Sequence, residues 1–254
     1  MSEVEVIRAP SLAGAPHGFL GRRGGVSQGA IAGLNVGWGS DDDPHAVAEN
    51  VRRACAAVLP GAALARAYQI HSATAVVAEA CPMEARPKAD ALVTDRPGLL
   101  LGIVTADCAP VLLADEAAGV VGAAHAGWRG AIDGVTDATI TAMQALGARR
   151  ERIAAAVGPC IGQANYEVDE TFRARFLAAD ADNDRFFVEG LAGRPHFDLE
   201  AYVVARLAAA GVQRIEASGL DTYADPARFF SYRCATHRDE ADYGRQFALI
   251  GLRP

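Results

Sequence analysis

Three side chains stand out by type and position: His71 in Tyr68-Gln69-Ile70-His71-Ser72, Cys108 in Thr105-Ala106-Asp107-Cys108-Ala109-Pro110, and His125 in Ala124-His125-Ala126-Gly127-Trp128-Arg129-Gly130. Each lies at the end of a segment that reads as a strand, where α/β proteins build their sites. Two imidazoles and one thiolate suit zinc, and three protein ligands leave the fourth tetrahedral position for water or substrate, the pattern of a catalytic ion. The intervals are too long for the paired short spacings of a zinc finger, so the fold must assemble such a site. The same residues support a metal-free reading, with Cys108 as nucleophile and His125 or His71 as base in a thiol hydrolase or deamidase. Asp107 would orient a histidine, serve as acid or base, or simply cap its turn. Two satisfied histidines and an inert thiol are the bland alternative.

The segment His125 to Gly130 follows a buried strand and precedes a helix, so its free backbone N–H groups form a natural anion site that Arg129 would reinforce. Trp128 reads as packing. Arg22, Arg23 and Arg233 stand beside turn or strand residues, and Cys160 reads as structural. His17, His45, His196 and His237 make no ligand spacing, and His237 lies in a charged, exposed stretch.

The elements that would position these groups are legible from periodicity. Asp43-Pro44 starts a helix with Val47, Val51, Ala54, Cys55 and Val58 on one face, ending at Pro60-Gly61. A second helix runs from about Gly130 to a stop at Gly147, a third from Asp198 to Gly211, and a fourth from Asp169 to Ala179. Residues 99–105, 110–114 and 120–124 are short apolar runs, expected as strands buried on both faces, with further strands at 153–157, 186–188 and 213–217. Intermixed helices and strands indicate a single α/β domain over residues 1–254, a layered sandwich with mixed sheets.

Composition narrows the function classes. The chain has 254 residues, 51% hydrophobic and 22% charged, with a net charge of −7, so no global positive field draws it to nucleic acid or an anionic bilayer. The most apolar stretch is far short of the ~20 residues a membrane span needs. Five cysteines form an odd, dispersed set, which points to reduced thiols. Acids near the amino terminus are unlike a signal peptide, and the expected location is cytoplasmic.

The chain resembles the YfiH-like family, catalogued as multicopper polyphenol oxidases or laccase-domain proteins and understood as purine nucleoside phosphorylases. The resemblance spans almost the whole chain and rests on ordered blocks: Arg22-Arg23-Gly24-Gly25-Val26-Ser27, Leu34-Asn35-Val36-Gly37, Gln69-Ile70-His71, Thr105-Ala106-Asp107-Cys108, His125 to Gly130, Gly158-Pro159-Cys160-Ile161, Phe230-Ser231-Tyr232-Arg233 and Tyr243-Gly244-Arg245. It implies one zinc ion on His71, Cys108 and His125, with Asp107 and Arg129 catalytic and Arg22, Asn35, Arg129 and Arg233 toward substrate or phosphate. The implied activity is phosphorolysis of adenosine, inosine and methylthioadenosine, with deamination of adenosine as a side activity. The implied partners are a purine nucleoside and phosphate, with neither nucleic acid nor membrane; a homodimer is an open option. A multicopper centre calls for many histidines, commonly in His-x-His pairs, whereas this chain has six and no such pair. The His-x-Glu and Pro-Cys-x-x-Cys signature of the familiar zinc deaminases is also absent. One departure stands out: Cys234 occupies a position where the family often has a second arginine.

Overall fold

The computed structural model describes residues 3–80 and 85–254; Met1 and Ser2 of the amino-terminal segment, and Cys81 with its neighbours through residue 84, lie outside the described residues. In chain order the strands are β1 (Val6–Ile7), β2 (His17–Leu20), β3 (Ala63–Arg66), β4 (Ala75–Val77), β5 (Ala91–Thr94), β6 (Leu99–Thr105), β7 (Ala109–Asp115), β8 (Val120–Ala126), β9 (Ala154–Val157), β10 (Phe187–Val188), β11 (His196–Phe197), β12 (Arg214–Ala217) and β13 (Gln246–Gly251). The α-helices are α1 (Pro44–Val58), α2 (Trp128–Asp133), α3 (Val135–Ala145), α4 (Glu170–Ala179), α5 (Leu199–Ala209) and α6 (Tyr232–His237).

Two large mixed sheets carry the structure. One runs β1-β2-β13-β6-β3 and the other β12-β9-β7-β8-β5-β4, while β10 and β11 form a small ribbon. Side-chain alternation explains how they stack. From β6, Leu99, Leu101 and Ile103 join Leu112 and Ala114 of β7 and Ala248 and Ile250 of β13 in a core between the sheets. The intervening Leu100, Phe247 and Leu249 face outward onto Ala54 and Val58 of α1. Val111 and Leu113 of β7 face the other way, onto Ile140 and Met143 of α3 and Tyr202, Val203 and Leu207 of α5. The central strands are apolar throughout because both faces are covered, as the sequence leads one to expect, and the layered mixed α/β fold follows.

The helix starts follow their caps. Asp43, Asp169 and Asp198 accept backbone N–H bonds from His45, Phe172 and Ala201 at the first turns of α1, α4 and α5. The expected helix from Gly130 to Gly147 is instead two helices, because Gly134 adopts φ +92° and ends α2 while beginning α3. A left-handed residue cannot continue an α-helix. The strand expected at 186–188 loses Phe186 to a preceding 3-10 turn. Among the described residues no helix is long and apolar enough to cross a membrane.

Candidate metal centre and its cleft

Antiparallel pairing brings two of the three candidate ligands together. β7 and β8 pair with Ala109 opposite Ala126 and Pro110 opposite His125, so the residue that leads into β7, Cys108, and the penultimate residue of β8 share one end of the sheet. His71 arrives on the loop after β3, where the Gln69 amide clamps the backbone of Val104 in β6 with bonds of 2.8 and 2.9 Å. The ligand atoms of His71, Cys108 and His125 all lie within 4.8 Å of one another, the one such group of three among the described residues. The two imidazole rings meet edge to face at 4.7 Å.

The donor set fits zinc. Bond lengths of ~2.0–2.3 Å in a tetrahedron place ligand atoms roughly 3.3–3.8 Å apart, within reach of small side-chain rotations. His125 is buried, Cys108 half-buried and His71 exposed, so the triad opens on one side to solvent. An open, three-ligand arrangement is what a catalytic rather than a structural ion requires.

Asp90, which motif reading passes over, organises this centre. It is fully buried at the entry to β5, opposite His125 across the β5–β8 pairing. Its Oδ1 accepts from His125 Nδ1 at 2.8 Å and from the His71 N–H at 2.9 Å. Its Oδ2 accepts from the N–H groups of Ile70 and Ser72 and from the Ser72 hydroxyl. Three successive backbone N–H groups thus wrap one carboxylate, and His71 takes φ +59° to make the wrap. With Nδ1–H given to Asp90, His125 presents its Nε2 lone pair toward the other ligands. Burial alone would raise the Asp90 carboxyl, but His125 and Ser72 hold it well below the ordinary range. Burial opposes charge on His125 as well, yet Cys108 and Asp90 outweigh it and push the imidazole up to about 9. A metal ion at the triad takes the unprotonated imidazole nitrogen and the thiolate, so its binding releases protons. For His71 burial dominates, and with the neighbouring His125 and Arg129 it lowers the imidazole.

Gly127 is the tightest point around the triad. A Cβ there would lie 2.8 Å from His71 Nδ1 and 3.0 Å from Cys108 Sγ. Gly127→Ala is expected to lower metal occupancy at least ~10-fold, read by metal analysis of the purified variant, with the far-ultraviolet circular dichroism unchanged.

The triad forms one end of a cleft of about 660 Å³, whose walls include Trp38, Arg66, Tyr68, Arg86, Tyr243 and Arg245. Three arginines and no carboxylate line it among the described residues, in a protein whose net charge is −7. Arg66 and Arg86 have no distinguishing motif in the sequence. Two short signals were available: Asp90 directly precedes an apolar run, and Arg245 ends the Tyr243-Gly244-Arg245 block.

The other candidate residues take varied positions. Asn35 is fully buried beneath one cleft wall, its Oδ1 accepting from the N–H of both Gly37 and Arg245. Asp107 adopts φ +85° and turns its carboxylate to Thr222 Oγ1 and the Arg233 N–H, both at 2.7 Å, so it ties the Cys108 turn to the start of α6. Burial raises it, against those hydrogen bonds. Arg22 is spent on the backbone carbonyls of Ala30, Ala32 and Pro226 and stacks on Phe230. Arg233 binds the Glu167 carbonyl and lines a separate hollow with Tyr166 and Trp128. Arg129 is exposed and lies over the Trp128 ring, which itself packs on Phe172. Cys160 is buried in the helix-side core, and Cys234 is buried in α6; burial pushes both thiols up.

Comparison with known proteins matches this sequence and fold to a family. Residues 16–253 match the profile of the multi-copper polyphenol oxidoreductase laccase family. A Deinococcus radiodurans protein named purine nucleoside phosphorylase is 48% identical over 250 residues, covering 97% of this chain and 92% of that one. A protein of the same name from Streptomyces griseus is 42% identical over 229 residues, covering 89% and 91%. Among solved structures, a Neisseria meningitidis protein superposes with a TM-score of 0.87 at 33% identity over 99% of this chain and 100% of that one. The Bacillus licheniformis hypothetical protein YfiH gives 0.88 at 28% identity, over 99% and 97%. With its fold and nearly its full length in common with these relatives, the chain belongs to the YfiH-like, laccase-type family.

Proposed function

We propose that the protein is a zinc-dependent purine nucleoside phosphorylase acting on adenosine, inosine and methylthioadenosine, with adenosine deamination as a side activity. The observation that carries this reading is the convergence of His71, Cys108 and His125 on one arginine-lined cleft. The naming of relatives up to 48% identical as purine nucleoside phosphorylases supports the same class. Zinc, when bound, supplies a Lewis acid at the end of the cleft.

The chain's own residues do the rest. The Trp38 and Tyr68 rings offer apolar faces for a purine, and the cleft arginines neutralise an anionic co-substrate. Asp90 holds His125 and the His71 loop in place, while Asp107 fixes the Cys108 turn and Asn35 the opposite wall. Arg129, whose charge is felt at His71, flanks the triad; Arg22 and Arg233 brace neighbouring loops. A phosphate oxygen then bonds to the sugar C1′ as the C1′–N9 bond breaks, and the proton that hydrogen phosphate gives up goes to the departing base. The free thiols of Cys55, Cys108, Cys160 and Cys234 support a reducing, cytoplasmic setting.

Chromatography of adenosine incubated with the metallated protein tests the proposal. Adenine forms only with phosphate present, and inosine forms without it; absence of both products contradicts the reading. A second reading draws on the Asp90-His125 hydrogen bond and the hydrogen bond between His125 and Cys108, which together form a Cys-His-Asp relay. A thiol hydrolase or deamidase built on it keeps its activity in a chelator and loses it on alkylation of Cys108.

A further inference from the structure

We propose that the phosphate subsite is the wall formed by Arg245, pinned by Asn35 and shaped by Gly37; this rests on the phosphorylase reading above. Arg245 lines the same cleft as the triad, and its Nη1 is buried without a hydrogen-bond partner. A buried guanidinium N–H without an acceptor is costly, and such atoms are normally satisfied by a ligand, ion or water. The remainder of the side chain is held in place. Its guanidinium lies 4.3 Å from the Tyr243 ring centroid, and its backbone N–H and C=O bond Asn35 Oδ1 and the Val36 N–H. Asn35 in turn spends its amide on Ser40 Oγ and Asp42 Oδ2, and its Oδ1 also accepts from Gly37. One buried amide thus fixes both the arginine and the facing loop, which is how an oxyanion site is preorganised.

Gly37 makes room for this arrangement. A Cβ at this position would stand 3.0 Å from Arg245 Cδ and Nη1, so the absence of a side chain lets the fork lie against the loop while Arg245 lines the cleft. Arg66 and Arg86 on the same cleft add positive field, and no carboxylate lines it among the described residues. A planar fork beside two further cations matches the tetrahedral oxyanions of inorganic phosphate. Of the arginines that the resemblance assigns to phosphate, Arg22 and Arg233 instead spend hydrogen bonds on backbone carbonyls.

Initial rates of the metallated enzyme, with inorganic phosphate and adenosine varied separately, test the assignment. Arg245→Ala is expected to raise the KM for phosphate about 10–100-fold, the worth of a charged hydrogen bond, with the KM for adenosine within about 2-fold and zinc content unchanged. Arg245→Lys, which keeps charge but loses the fork, falls between. Gly37→Ala removes no polar group and displaces the Arg245 fork, so it raises the phosphate KM alone even if Arg245→Ala proves unstable. An unchanged phosphate KM in the Gly37 and Arg245 variants, or a rise confined to the adenosine KM, overturns the subsite. Absence of phosphorolysis in the unsubstituted enzyme instead overturns the functional reading beneath it.

Discussion

Asp90→Asn is expected to weaken zinc binding about 10–100-fold, the usual loss when the partner of a ligating histidine is altered, and Asp90→Ala to unfold the protein's active end as well. The carboxylate is fully buried and accepts from His125, from three consecutive backbone N–H groups and from the Ser72 hydroxyl. Asparagine keeps the shape but offers one acceptor oxygen where the carboxylate offers two, and its NH₂ must face N–H donors. Alanine strands all of them around a position that is itself fully buried. Removing one partner of a buried charged pair costs about 3–5 kcal/mol, so the Ala variant is expected to show a lower midpoint in denaturant as well as lost metal. The sign of the pH effect follows from the depressed Asp90 carboxyl: its contribution is full above the ordinary carboxylate range and is lost as pH falls toward the lowered value. Competition titration with a colorimetric chelator and urea denaturation measure the two effects separately. Zinc affinity in Asp90→Asn equal to that of the unsubstituted protein would show that His125 needs no such partner.

Cys108→Ala has the second large effect. The residue is half-buried in a turn whose backbone is held by Asp107, so the fold survives while the set of three ligands becomes two. Loss of a direct ligand exceeds the loss of its neighbour's partner, and phosphorolysis is expected to fall more than ~100-fold with zinc lost in parallel. The parallel loss is the informative part. In a thiol hydrolase Cys108→Ala also kills activity, but the metal content of the purified protein is then unrelated to turnover, and chelation spares the unsubstituted enzyme. Alkylation kinetics of Cys108 with and without zinc give a further readout, since an ion on the sulfur protects it.

Much of this architecture is legible in the sequence for local reasons. Leu99–Thr105 is found as read because a run apolar on both faces has no alternative burial, and α1, α4 and α5 start where aspartate side chains satisfy first-turn N–H groups. The break at Gly134 was hidden because Ile132, Val135 and Thr139 keep helical spacing across it; the glycine's left-handed φ, not the pattern, decides. The edge strands β1 and β4 are only two and three residues long, so their own residues carry little periodic signal. The triad was visible by residue type at strand ends. Asp90 was not, because its role comes from standing across a sheet from His125, a relation set by β5–β8 register. The cleft arginines were obscured for the same reason: Arg66 ends one strand, Arg245 precedes another, and only the order β13-β6-β3 makes them neighbours.

The most direct test of the central claim is the metal content of the purified protein measured alongside its phosphorolysis. Close to one zinc per chain is expected, with loss of adenine formation when the ion is stripped by chelator and recovery on adding back one equivalent of zinc. Full phosphate-dependent turnover by protein free of zinc, or several coppers per chain, would contradict it.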